Sequence, residues 1–554
     1  MGQKPPLTAL SAFIIWATLG VFGAVGATPH PLAAQVRSRL DLGGNIEVGG
    51  EEERYLRVLQ IAGVAPLTPW SIQPFSPTQT RLLRVSGSHP WSQRFASDDT
   101  ASSVRFLRPK ARLIGNSAFP FQDGGGPTWA GRGITGEIQA GVFAAWKDVF
   151  VQLAPLAFVG QNAAFALAPN GQPSNARFAD ARFPGAIDAP QRFGDRAYGR
   201  LEPGSSSVTL DVFHVLAGIS SAPQRWGPAR EFPLNIGPNG GGFPEVYLGT
   251  SEPINFWLFQ GHGRVVYGEL GQSSYSADVA GQRKRLGSGL VLTALPRGLP
   301  GLEIGGTRFI HRPWSDASNV HALLRPFSGG GNIIGTSAAE NDLFENQTAS
   351  VFARWALPAA KAEFYAEMYR EDFFGKFHQA PGSLVEKPDD YSTFTLGFQR
   401  VFTSTERMIR VLRGELVNGQ VSHQERTERG FAIPLPPYIH TEVTQGHTVN
   451  GLLLGSPEAY GGEAWRLGMD EFSPAGRRSI TLERSLRFDW LPGTPLDGTL
   501  VHPDVIFDVR AEALRFAGKH DYGVTLIPAI DLNRNLVAHH DVFNLTVAVV
   551  ARGW

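Results

Sequence analysis

The sequence contains no cysteine. That excludes disulfides, thiol catalysis, Cys-ligated zinc and iron–sulfur clusters, together with the lipidated cysteine of an anchored lipoprotein. Charge is also scarce. Asp, Glu, Lys and Arg make up 18% of the chain, against roughly 25% in an average soluble domain. No excess of either sign exists, because 50 Lys and Arg balance 50 Asp and Glu. Nucleic-acid recognition through bulk charge is thereby excluded, since phosphate binding needs clustered excess base. After the N-terminus, no stretch approaches the ~18–20 consecutive apolar residues of a membrane helix. Glycine, proline and aromatics are plentiful: 64 Gly, 40 Pro, 36 Phe and 12 Trp in 554 residues. With 42% hydrophobic residues and no net charge, the chain can bury a large core and is not a disordered polymer. Its length fits several soluble domains or one large closed sheet.

The first residues read as an export signal. Lys4 supplies a positive charge, Leu7 to Ala27 is apolar apart from small or hydroxyl residues, and Val25-Gly26-Ala27 offers small residues for cleavage. The expected signal peptide is residues 1–34, cut after 27 or 34. A retained anchor is the competing reading, because the run is long enough to span. At the other end, Asp541 to Trp554 alternates as a strand and finishes on an aromatic residue. Such an ending resembles the assembly signal of bacterial outer-membrane barrels, although Arg552 falls on the Trp554 face, where that pattern wants an apolar residue.

Residues 35–110 are expected to form a small periplasmic cap or plug. Arg39 to Gly49 reads as a short strand. Glu51 to Gln60 reads as one short helix, with acids in the first turn where the helix dipole favours them. Pro66, Pro69, Pro74 and Pro77 predict irregular chain after it.

From about residue 110 the period changes to two. Phe394, Leu396, Phe398 and Phe402 share one face, and Thr393, Thr395 and Gln399 the other. Ala362, Phe364, Ala366 and Met368 oppose Glu363, Tyr365, Glu367 and Tyr369, and Val505, Phe507 and Val509 oppose Asp508, Arg510 and Glu512. A soluble sandwich and a membrane barrel both carry such two-faced strands. Three features favour the barrel: both signs of charge on the polar face, aromatics recurring near strand ends, and more than four hundred residues without a linker. The expected fold is all-β, a large antiparallel transmembrane barrel over 111–554, with about 16–18 strands by length. Gly/Pro/Asn/Ser-rich stretches at 168–206, 312–346, 372–391 and 418–450 are expected to be outward loops.

The most distinctive run is Gln224-Arg225-Trp226-Gly227-Pro228-Ala229-Arg230, followed by Gly240-Gly241-Gly242-Phe243-Pro244 and Gly268-Glu269-Leu270. Trp-Gly-Pro is a turn with an aromatic anchor, and the glycines predict a close-approach loop. Phosphate binding is excluded, because no Gly-Lys-Ser/Thr follows them. These elements, with Tyr438-Ile439-His440 and Tyr460-Gly461-Gly462-Glu463 later on, resemble the capsule-assembly (Wzi-like) family of outer-membrane proteins. The resemblance implies an 18-stranded outer-membrane barrel with a small periplasmic helical part. It also implies a lectin-like, non-enzymatic role in attaching capsular or exopolysaccharide to the surface. The chain departs from that pattern in its single expected N-terminal helix, and in Gly237-Pro238-Asn239-Gly240-Gly241 where the family has an Asn-rich stretch.

No catalytic constellation is expected. His539 and His540 are adjacent on a strand and point to opposite faces, which disfavours a joint metal site. His440 and His447 are expected to be exposed loop residues. Glu363 and Glu367 share a face, as glycoside hydrolysis would require, but lumen ion pairing is the expected use. No Gly-x-Ser-x-Gly element occurs. No cofactor is expected. For sugar binding, Arg225, Trp226, Arg230, Tyr247, Arg312 and Trp314 have suitable chemistry, each competing with belt or turn packing. The expected partners are surface polysaccharide and outer-membrane lipid, with the protein a monomer. A diffusion porin for carbohydrate or anionic solutes is the second expectation, and an outer-membrane hydrolase the third.

Overall fold

The computed structural model describes residues 46–83, 85, 87–94, 102–121, 126–277, 284–328, 345–371, 388, 392–421, 436–487 and 502–553. The expected signal, most of the expected strand at 39–49, the loop at 372–391 apart from Pro388, and Trp554 lie outside them.

The chain closes into an 18-stranded antiparallel barrel. Its strands are β1 (Ser102–Asn116), β2 (Gly133–Trp146), β3 (Val149–Leu153 and Leu156–Gly160), β4 (Tyr198–Glu202 and Ser207–Val212), β5 (Val215–Ser220) and β6 (Glu245–Thr250 and Ile254–Asn255). There follow β7 (Phe259–Gly271), β8 (Lys284–Pro296), β9 (Leu302–Pro313), β10 (Asn346–Leu357), β11 (Ala362–Glu371) and β12 (Ser392–Ser404). The last six are β13 (Ile409–Asn418), β14 (Gly462–Ser473), β15 (Gly476–Arg487), β16 (Asp504–Ala517), β17 (His520–Leu532) and β18 (Val542–Gly553). β1 pairs with β18 from Lys110↔Arg552 to Asn116↔Thr546, which leaves no open edge. Three strands are interrupted at Pro155, Pro203 and Pro253, where proline cannot donate to the ladder.

Alternation decides which side chain goes where. In β12, Thr393, Thr395 and Gln399 are buried toward the lumen, and Leu396 and Phe402 are exposed outside. In β16, Asp508 and Arg510 face in while Phe507 and Val509 face out. The outer wall therefore presents aliphatic and aromatic groups, as hydrocarbon requires. The barrel begins at Ser102, ahead of the boundary expected at 111. Residues 198–206, expected in a loop, include the first half of β4.

The two ends differ. Short turns join β4 to β5 at Phe213-His214, both with positive φ, and β16 to β17 at Gly518-Lys519. Longer connections gather at the opposite end. The N-terminal segment packs into the short-turn end. There α1 (Glu51–Ile61) buries Tyr55, Leu56, Val58 and Leu59 against Val401, Ile409, Val411 and Phe472 of the wall. A second helix, α2 (Pro77–Leu82), was not expected among the prolines. Ser76 caps it by accepting from Gln79 N, Gln79 returns the bond, and Pro77 occupies the first turn, where proline is compatible with a helix.

Candidate functional site: a plugged lumen and its outer rim

The lumen is crossed by two segments that hold each other. Ile72-Gln73 of the plug pairs antiparallel with Arg225-Trp226, Ile72 opposite Trp226. Around this contact lies a buried charge network. Arg225 Nη1 donates to Glu53 Oε2 at 3.0 Å, and the Trp70 indole donates to Glu53 Oε1 at 2.8 Å. Burial alone would raise the Glu53 carboxyl, but Arg225 and Arg57 beside it bring it down to about 2. Arg57 Nε donates to Glu363 Oε1 at 2.9 Å, and Arg354 Nε to Glu363 Oε2 at 2.7 Å. Arg354 also pairs with Glu303, which accepts from Trp70 N at 3.0 Å and Ser71 Oγ at 2.8 Å. Every charge here faces an opposite one, the condition under which burying them is tolerable. Glu363 thus makes the expected ion pair. Glu367 instead lies against Gly227, whose φ is +90° and whose Cβ, if it had one, would stand 2.9 Å from Oε2.

The chain after Trp226 is held by the wall. Glu415 accepts from the backbone N–H groups of Arg230 (3.0 Å) and Phe232 (2.7 Å) and from Tyr365 OH at 2.6 Å. Glu231 bridges Arg413 and Arg466, each at 3.1 Å. Phe243 then packs over Gly268, its ring 2.6 Å from where a Cβ would be. That contact explains why Gly-Phe-Pro and Gly-Glu-Leu occur together.

At the opposite end the described loops fold inward. Phe183, Ile187, Phe232, Leu234, Tyr369, Tyr438 and Tyr460 form one buried cluster. Tyr438 OH donates to Leu234 O at 2.7 Å, and Arg285 donates to the carbonyls of Gly446 and Thr448, each at 2.7 Å. His447 bonds Asn235 O at 2.6 Å and His311 at 2.8 Å. His440 and His447, expected to be exposed, are both buried because this loop folds inward. Burial brings the His447 imidazole down to about 4, against the opposing bond to Asn235 O. A cavity of about 540 Å³ runs along one wall, lined in part by the charged residues Glu47, Lys110, Arg112, Glu137, Glu512 and Arg552. Arg552 reaches Glu47 at 2.7 Å from inside the lumen, which explains a charge at that position of the last strand.

The six residues expected to meet sugar are spread out. Arg225, Trp226 and Arg230 are buried in the crossing segment. Tyr247 faces the lumen and bonds Thr209 at 2.6 Å. Arg312 is buried against Glu345 and Asp316, and Trp314, 39% exposed, is at the outer rim. Sequence reasoning missed the Glu53–Arg57–Glu303–Arg354–Glu363 network. Its signal was the recurrence of single charges on inward faces of otherwise neutral strands. Among the described residues, no group of three or more His, Asp or Glu is placed to hold a metal ion.

No family model matches the sequence, and no curated protein matches it. Among solved structures, the chain is similar to Wzi of Escherichia coli, described as an outer-membrane protein involved in group 1 capsule assembly and a carbohydrate-binding β-barrel. The TM-score is 0.60 at 13% identity, over 92% of this chain and 99% of that one. The chain has the fold of the Wzi barrel. OccAB2 of Acinetobacter baumannii (TM-score 0.40, 11% identity, 82% of this chain, 98% of that one) and OprD of Pseudomonas aeruginosa (0.37, 9%, 82% and 93%) also match, too distantly to carry an argument. The Wzi-like fold, its apolar outer wall and its charged interior make this a β-barrel of outer-membrane type.

Proposed function

We propose that the protein attaches or organises capsular or other exopolysaccharide at the outer surface of a bacterial outer membrane, as a non-enzymatic, monomeric barrel. The observation that carries this reading is the plug and crossing segment packed inside the lumen. A packed plug at one end, inward-folded loops at the other and a segment crossing between them occupy much of the lumen, which suits an anchor better than a diffusion pore. The Wzi-like fold supports the same reading, as do the ion pairs of Glu53, Glu303 and Glu363 and the backbone bonds that Glu415 accepts. Residues 1–34 act as the export signal, and the segment from 46 to 94 as the periplasmic plug. Glycan contact belongs on the outer rim. Trp314 is the most exposed of the six expected residues, and the exposed loop residues Arg196 and Arg177, the latter 3.5 Å from Asp195, add cations that acidic sugars would meet. Arg225, Trp226, Arg230, Tyr247 and Arg312 then support the rim from below.

The test is binding of purified protein to immobilised acidic polysaccharide. Retention that falls at least fivefold in Arg177→Ala/Arg196→Ala supports the proposal. No retention by the wild-type protein on any acidic polymer, with steady large conductance in planar bilayers, would favour the porin reading instead.

A further inference from the structure

Between β9 and β10 the chain does not rise away from the barrel. The turn Trp314–Ser318, the short helix α3 (Val320–Leu324) and the turn Arg325–Phe327 fold back over the outside of the wall, across the outer ends of β8 and β9. Tyr267 OH, on the outer face of β7, donates to Leu323 O at 2.5 Å, and Arg308 Nη1 donates to Arg325 O at 3.2 Å. In β8, Arg285 and Gly289 point into the lumen, toward Gly446 and Trp226, so Leu286 and Ser288 point outward. In β9, Phe309 and His311 point inward, so Arg308, Ile310 and Arg312 point outward. On a lipid-facing wall these outward groups should be exposed. Leu286, Ser288 and Ile310 are buried instead.

The covered patch is polar. Arg312 Nη1 donates to Glu345 Oε2 at 2.8 Å, Arg325 Nη2 to Glu345 Oε1 at 2.7 Å, and Arg308 Nη2 to Gln347 Oε1 at 2.6 Å. Charged groups on the lipid face are costly, about 2–4 kcal/mol for Arg at mid-bilayer and less near the interface. The folded-back segment pairs and covers them. Its own outer side carries an apolar stripe, flanked by the exposed Asn319, His321 and Ser328: Val320, Leu324 and Phe327 are 64%, 55% and 57% exposed, at the i, i+4, i+7 spacing of one helix face. This stripe continues the exposed wall formed by Leu292, Ile304 and Val351.

We propose that residues 320–327 form a strap seated against the membrane, its stripe in contact with the acyl chains of the outer leaflet. Continuity with the lipid-facing wall argues for this occupant. A second copy of the chain is disfavoured by size, because three side chains fall far short of the ~800 Å² per partner of a stable interface. A five-residue helix is also too short to persist in water without packing.

The cysteine-free sequence allows a direct test. Leu324→Cys and Val320→Cys, in the full chain, are labelled with an environment-sensitive fluorophore and reconstituted in phosphatidylcholine vesicles with brominated acyl chains. Leu292→Cys on the wall and Asn175→Cys on a loop serve as references, and the heat-modifiable gel shift confirms folding. The strap predicts quenching at 324 and 320 of at least half that at 292. Quenching no greater than at 175 would overturn it, as would a blue-shifted, unquenched emission that depends on protein concentration, the mark of a second copy.

Discussion

Removing the Glu363 carboxylate should release the plug. Glu363 accepts from Arg57 Nε of α1 at 2.9 Å, Arg354 Nε at 2.7 Å and Gln399 Nε2 at 3.0 Å, all buried. In Glu363→Ala, Arg354 keeps Glu303. Arg57 keeps its bond to Pro228 O at 2.8 Å and its place 5.0 Å from the Tyr365 ring, but loses its directly bonded carboxylate. Breaking a buried pair from one side costs about 3–5 kcal/mol, which multiplies the undocked fraction of the plug roughly a hundredfold to a few-thousandfold. Arg57→Ala should cost less, because Glu363 retains Arg354. The double variant should fall short of the sum of the two, since the neighbouring carboxylate and guanidinium are removed together. Limited proteolysis of folded protein in vesicles reads the effect as cleavage within residues 46–94, with the gel shift confirming an intact barrel. Cleavage of Glu363→Ala at the wild-type rate would refute the claim that this network holds the plug.

Other consequences follow from the same geometry. Burial brings the plug residue His89 from an ordinary 6.5 down to about 4, so its contribution is complete above about 6.5 and is lost as pH falls toward 4. Glu53, held at about 2, adds a second loss between its ordinary 4.5 and 2. Hydrogen exchange of α1 amides should therefore be flat from pH 8 to 6.5 after correction for intrinsic rates, and lose protection below. Flat protection down to pH 3 would contradict it. Gly227→Ala forces a Cβ into positive φ and against Glu367, costing roughly 1–2 kcal/mol from the backbone alone. A lower midpoint of the thermal gel shift is expected, and an unchanged midpoint would be evidence against the close approach. Leu482→Arg, outward in β15, should destabilise the barrel by about 2–4 kcal/mol in vesicles, read by urea unfolding, whereas a neutral result would place that face in water.

Much of the fold was legible because one property, the alternation of β12 and β16, is set by adjacent residues and needs no tertiary information. Barrel closure followed from length and from the absence of a second composition. The plug was legible only in part. The acids of α1 announced it, whereas α2 was hidden among prolines although Ser76-Pro77-Thr78-Gln79 spells its cap. The site was least legible. Trp226 and Arg225 have the chemistry of sugar contacts, but the pairing of 225–226 with 72–73 joins positions far apart in sequence and puts both inside the barrel. His447 likewise reads as a loop residue, and only the inward fold of 436–461 buries it.

The central claim is that this plugged barrel retains polysaccharide at the cell surface. Its most direct measurement is the division of polymer between cells and medium after deletion of the gene and after its restoration. The account predicts polymer shed into the medium on deletion, with total synthesis unchanged, and return to the cells on restoration. Polymer that stays on the deleted cells, with none in the medium, would contradict it.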